Sequence, residues 1–130
     1  MDDTLQTDAL LGRVMELGKL LDDHRGADVK VLDMRQLNFW TDFFIISTVT
    51  SNTHLLGLER HIKDFVRENN LEILHRSRRP DEDEQWCLLD LGSIVIHLMT
   101  ERVRDFFELE RLWGAAPVVY GAKAYSSKSS

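Results

Sequence analysis

The sequence has 130 residues, of which 43% are hydrophobic and 29% charged, so it can build one domain with an apolar core. No apolar run approaches the roughly 20 residues that a membrane-spanning helix needs, and we expect no membrane association. The net charge of −6 argues against holding RNA through its phosphates, because that needs a basic face. An acidic N-terminus and a single cysteine, Cys87, predict a cytoplasmic protein without disulfides.

The first half of the chain predicts a helix, two strands and a second helix. Apolar residues recur at helical spacing from Leu10 to Leu21, and Gly26 lies where that helix would end. A short β-rich run covers 29–34. Residues 43–49 are apolar on both parities, which is typical of a central strand covered on both faces. Capping residues at 51–53 then precede a second amphipathic helix, whose apolar face is marked by Leu55, Leu58, Ile62, Phe65 and Val66.

The second half predicts three strands and a last helix. We expect a strand over 71–76, a charged loop over 78–84, and a hairpin of strands 85–91 and 93–100 around Gly92. An amphipathic helix follows around 103–113. The resulting order predicts an α/β fold, with a mixed sheet of about five strands and flanking helices, in a domain of residues 1–120. The small, polar residues 121–130 predict a disordered tail.

The common signatures of catalysis and metal binding are missing from the sequence. It contains no glycine-rich phosphate loop, no H-E-x-x-H or C-x-x-C pair and no G-x-S-x-G elbow. The acidic run 81–84 lacks the spacing of a calcium loop. Cys87 stands in an apolar run and is interpreted as a buried small hydrophobe rather than a nucleophile. We therefore expect no enzyme activity, no metal and no cofactor.

One region carries a specific pattern. Residues 86–99 read W-C-L-L-D-L-G-S-I-V-I-H-L-M, and residues 104–113 read R-D-F-F-E-L-E-R-L-W. This resembles the ribosomal silencing factors, or Iojap family, with their W-x-x-x-D-x-G-x-I-V-x-H-x-M and R-x-F/L-Y-x-L-E-x-L-W segments. T-D-F-F-I-I at 41–46 and T-S at 50–51 match further family segments. The chain departs from the pattern at Phe107, where the family usually has Tyr, at Val49, where many members have Gly, and at Thr53.

The resemblance implies a fold related in shape to nucleotidyltransferases but without their catalytic residues. It implies a factor that binds the large ribosomal subunit through ribosomal protein L-fourteen, sterically blocks association with the small subunit, and represses translation under nutrient limitation. It also implies a homodimer, and no direct readout of nucleic acid is expected. The alternative from a different class is a degenerate, nucleotidyltransferase-like nucleotide-binding protein, which would need clustered carboxylates near Thr50 and Ser51.

Strand alternation places Trp86, Leu88 and Asp90 on one face of the first hairpin strand, and the resemblance makes this face a predicted partner-binding site. Tryptophan is enriched among residues that dominate binding energy, so Trp86 is the predicted anchor. A core tryptophan is the alternative. Asp90 either pairs with a basic group of the partner or shapes the turn together with Gly92.

Three further residues complete the predicted partner-binding site. His97 and Met99 share one parity of the second hairpin strand, with a satisfied core histidine as the alternative for His97. Arg104 either contacts the partner or forms an ordinary salt bridge. The opposite parity of the same strand is predicted to be core, and it comprises Ile94, Ile96 and Leu98.

Overall fold

The computed structural model describes residues 2–37, 41–80, 85–107, 114 and 116–121. Within these residues the chain forms three α-helices, one 3-10 turn and six strands. In chain order they are α1 (Asp2–Asp23), β1 (Ala27–Asp33), a 3-10 turn (Arg35–Leu37), β2 (Phe43–Val49), α2 (Asn52–Glu68), β3 (His75–Pro80), β4 (Gln85–Asp90), β5 (Ile94–Thr100), α3 (Glu101–Phe107) and β6 (Val118–Tyr120).

The strands form one mixed sheet in the order β3-β4-β5-β2-β1-β6. The central pair, β2 and β5, is parallel, and every other neighbouring pair is antiparallel. All seven residues of β2 are buried, as its apolar sequence on both parities predicted. The mixed α/β fold with flanking helices is therefore confirmed.

A separate apolar core lies on each side of the sheet. The first core packs α1 and α2 against the sheet, with Val14 and Leu17 from α1 and Leu55 and Ile62 from α2. Ile94, Ile96 and Leu98 of β5 belong to this core, which confirms their prediction. The second core lies on the opposite face and comprises Leu32, Met34, Phe44, Ile46, Val95, Met99, Val103 and Ala116.

The junction between α1 and β1 is a tight helix stop. The N–H of Gly26 donates to the carbonyl of Leu21 at 2.7 Å, and the N–H of Arg25 donates to that of Asp22 at 3.2 Å. This pair of bonds is the Schellman arrangement. Gly26 lies where the helix was predicted to stop, and a Cβ there would meet Ser47 Oγ at 2.5 Å. The left-handed residue of the motif, however, is Arg25, with φ 72°.

The third predicted strand was placed too early in the chain. Residues 71–74 form no strand, and β3 runs instead from His75 to Pro80, into the segment predicted to be a charged loop. Its polar sequence fits an edge strand, because only one side pairs, from His75 opposite Asp90 to Pro80 opposite Gln85. The sixth strand, β6, is three residues long and gave no sequence signal.

Several sequence predictions lie outside the described residues. They concern the acidic loop at 81–84, the helix residues 108–113 and the tail 121–130, of which only Gly121 is described. The shape similarity to nucleotidyltransferases stays a prediction as well.

Candidate functional site

The hairpin register brings four of the six predicted site residues into one block. Trp86 on β4 lies directly opposite Met99 on β5, and Leu88 lies directly opposite His97. Directly opposed residues of an antiparallel pair share a face, so the four side chains lie together on the side of the sheet that faces away from α1 and α2. We call these four residues the hairpin block.

The two strands of the hairpin block differ in burial. Trp86 and Leu88 are half-buried and pack on the edge of the second core. His97 is 4% exposed and Met99 is fully buried. Of the four side chains, only those of Trp86 and Leu88 are accessible enough for a partner to contact, whereas His97 and Met99 beside them are covered.

His97 is an uncharged histidine in an apolar site. Its ring makes an edge contact with Phe44, with ring centroids 5.0 Å apart, and lies nearly parallel to Trp86 at 6.4 Å. Neither ring nitrogen has a hydrogen-bond partner among the described residues. Burial lowers the pKa of His97 from 6.5 to about 4, because the charged form would lose its hydration.

Asp90 has a structural role at the end of β4. Its carboxylate accepts a hydrogen bond from the N–H of Gly92 at 2.8 Å. Gly92 has a φ of 93°, a conformation that favours glycine, so the pair shapes the hairpin turn. A contact between Asp90 and a partner stays a prediction.

Arg104 lies inside the protein, on α3. Its side chain is 6% exposed, donates to Thr48 Oγ1 at 2.9 Å and approaches the Asp28 carboxylate at 3.5 Å. Thr48 lies opposite Met99 in the parallel β2–β5 pair. Arg104 therefore ties α3 to the sheet beside the hairpin block, and its direct contact with a partner stays a prediction.

Sequence reasoning missed three exposed residues next to the hairpin block. His75 and Ser77 on β3 lie opposite Asp90 and Leu88, on the same face, and their side chains are joined by a 3.1 Å hydrogen bond. Leu74 is 61% exposed and its N–H donates to the carbonyl of Asp90 at 2.7 Å. The adjacent apolar residues Ile73 and Leu74 break the alternation of a strand and could have indicated that Leu74 is exposed. The strand predicted over 71–76 included Leu74, so this indication was not used.

The corner between β2 and α2, where a nucleotide would be sought, is occupied by helix capping. Ser51 caps α2 and its hydroxyl accepts from the N–H of His54 at 3.1 Å. The N–H of Thr50 donates to Nδ1 of His54 at 3.2 Å. Among the described residues no three His, Cys, Asp or Glu side chains are arranged to hold a metal ion. The corner therefore gives no support to a nucleotide site that uses a metal.

Of the helices in the described ranges, none combines the length and the apolar composition needed to cross a membrane.

Taken together, the geometry defines an α/β protein whose candidate site is one face of a hairpin, where the half-buried Trp86 and Leu88 lie beside the buried Met99 and His97. The family of ribosomal silencing factors during starvation matches residues 7–130. The chain belongs to this family.

Relatives and solved structures agree with that membership. Ribosomal silencing factor RsfS of Bacillus subtilis is 33% identical over 97 residues, which cover 75% of this chain and 80% of the relative. The protein of the same name from Treponema pallidum is 36% identical, covering 78% and 90%. A crystal structure of a Chromobacterium violaceum protein superposes with a TM-score of 0.67 at 30% identity, covering 78% of this chain and 86% of that one.

Proposed function

We propose that this protein binds the large ribosomal subunit through ribosomal protein L-fourteen and prevents the small subunit from joining, so that translation is repressed when nutrients are limited. The proposal rests on the hairpin block. Its sequence matches the family pattern, and its β4 residues Trp86 and Leu88 are accessible. Membership of the ribosomal silencing factor family supports the ribosome as the target.

The proposed mechanism is steric and needs no bond to be made or broken. A bound protein of 15.1 kDa occupies space that the small subunit needs, and its affinity decides how long that space stays occupied. In such interfaces a few buried aromatic and aliphatic residues supply most of the binding energy, and polar residues around them exclude water. Trp86 and Leu88 fit the first role, and the neighbouring His75 and Ser77 fit the second.

The other predicted site residues hold Trp86 and Leu88 in position. His97 and Met99 lie beside Leu88 and Trp86 on the adjacent strand, Asp90 fixes the turn, and Arg104 anchors α3. The net charge of −6 favours a basic protein partner over RNA, since complementary charge speeds the encounter of two proteins. Cytoplasmic location, homodimer formation and a folded domain over residues 1–120 are part of the same proposal.

Co-sedimentation tests the binding step. The purified protein should pellet with isolated large subunits and remain in solution with large subunits that lack protein L-fourteen. Equal pelleting with both preparations would remove L-fourteen from the proposal, and no pelleting with either would remove the ribosome.

A further inference from the structure

A cleft of about 280 Å³ lies where the end of α1 meets the first turns of α2, on the side of the sheet opposite the hairpin block. Its floor includes the buried Leu58, and its walls carry a concentration of groups that can be cationic. Three of these wall residues are His24, Arg25 and His61. None of them has a role in the function proposed above.

Two histidines form a stacked pair at this cleft. The rings of His24 and His61 lie 3.6 Å apart between centroids, with 17° between their planes. Stacking uses the faces of the rings and leaves their nitrogens at the edges. Neither ring makes a hydrogen bond to another described residue, so the N–H donors are available to a solute.

His54 holds the two helix ends in place. Its Nδ1 accepts from the backbone of Thr50, which leaves the proton on Nε2, 3.3 Å from the carbonyl oxygen of His24. Both nitrogens of His54 are therefore used within the protein. We assign it a positioning role and do not count it among the ligands.

Arg25 occupies a backbone position that costs stability. It is the left-handed residue of the Schellman motif, with φ 72°, where glycine is usual. Side chains kept in such conformations are concentrated at functional sites. Arg25 forms no ion pair with a described residue, whereas the neighbouring Asp23 is paired with Lys19 at 3.1 Å. The guanidinium of Arg25 can therefore bind an anionic solute, whereas the Asp23 carboxylate is already paired with Lys19.

We propose that this cleft binds a small phosphate-bearing solute, with Arg25, His24 and His61 as hydrogen-bond donors. The cleft volume of about 280 Å³ has room for one or two phosphate groups. A longer RNA is disfavoured by the net charge of −6. A metal ion is disfavoured because the described residues offer no group of three ligands to it.

Inorganic pyrophosphate is the probe, titrated into the full-length protein by calorimetry and by NMR of the histidine ring nitrogens. We expect the signals of His24 and His61 to move on addition of pyrophosphate, while His75, which lies outside the cleft, serves as the internal control and stays unchanged. No heat and no movement at millimolar pyrophosphate would overturn the proposal, as would equal movement of all three histidines.

The decisive variant is Arg25→Gly, because it should separate binding from stability. It removes the cation and relieves the left-handed backbone, so affinity should fall about tenfold, the loss of one charge-assisted hydrogen bond, while Tm rises. Arg67→Met, an exposed cation elsewhere, should keep wild-type affinity. Unchanged affinity in Arg25→Gly would overturn the proposal, and so would tighter binding of an RNA oligonucleotide than of pyrophosphate. Because Trp86 lies on the other face, Trp86→Ala should bind pyrophosphate normally.

Discussion

Arg76 on the edge strand β3 forms a bidentate ion pair with Glu59 on α2. Nε donates to one carboxylate oxygen and Nη2 to the other, the second at 2.9 Å. The Glu59 side chain is only 3% exposed, and Lys63 lies 3.4 Å from it. Burial is the largest single influence and raises the pKa of Glu59, but the hydrogen bonds and positive charges of Arg76 and Lys63 together outweigh it, so the net pKa is lowered. The pair therefore joins the outermost strand to the helix layer.

Arg76→Met should destabilise the protein, because it leaves a buried carboxylate with Lys63 alone. Breaking a buried pair costs about 3 to 5 kcal/mol, and since Arg76 is 38% exposed we expect about 2 kcal/mol in urea unfolding. Arg67→Met is the matched control, because Arg67 forms an ion pair with Asp64 on α2, the helix that carries Glu59. Its pair with Asp64 is exposed, so the loss should stay below about 0.5 kcal/mol. Equal losses in the two variants would contradict this account.

His97 should make stability depend on pH. Because its pKa is lower in the folded protein, the unfolded chain binds more protons between pH 6.5 and about 4. His97 therefore leaves the free energy of unfolding unaffected above pH 6.5 and lowers it as pH falls toward 4, by up to about 3 kcal/mol. His97→Leu should flatten the unfolding free energy over this pH range. The exposed His75 provides the control, since His75→Gln should leave the wild-type slope.

The Cys87 thiol should be unreactive until the protein unfolds. It is fully buried, and burial raises its pKa to about 11, so the reactive thiolate is scarce at neutral pH. A thiol reagent such as Ellman's should label the wild type only in denaturant. Ser77→Cys, on the exposed face of the adjacent strand, should label at once in buffer. Rapid labelling of native wild type would show that β4 opens readily.

Trp86→Ala should weaken binding to the large subunit by more than about 1 kcal/mol if Trp86 is an interface anchor. Leu56→Ala is a control, because Leu56 is 37% exposed on α2, outside the hairpin block. Its affinity should be that of the wild type. Sedimentation with a dilution series of large subunits gives both affinities. A folded Trp86→Ala protein with unchanged affinity would remove Trp86 from the interface.

The central part of the fold was predictable from sequence because its residues obey strong local rules. β2 matches its predicted bounds, since an apolar run on both parities fits a strand buried on both faces. The stop of α1 near Gly26 followed from glycine chemistry. β3 was misplaced because an edge strand needs no apolar pattern, and its pairing with β4 is a long-range relationship that local periodicity does not encode.

The sequence predicted which residues of the hairpin share a face, but not which of them are exposed. Alternation placed Trp86 and Leu88 on one face, and the structure pairs them with Met99 and His97. For His97 the sequence left open a binding-face residue or a satisfied core histidine, because burial depends on what packs over the sheet. The structure buries His97, but its ring nitrogens have no hydrogen-bond partner among the described residues. The exposed position of Leu74 was missed for a different reason: the predicted strand included it, whereas β3 begins only at His75.

The most direct test of the central claim is the rate at which purified large and small ribosomal subunits associate, followed by light scattering. A saturating excess of the protein should suppress association, and Trp86→Ala should require a higher concentration for the same suppression. Association at the normal rate and to the normal extent in the presence of saturating wild-type protein would contradict the proposed steric block.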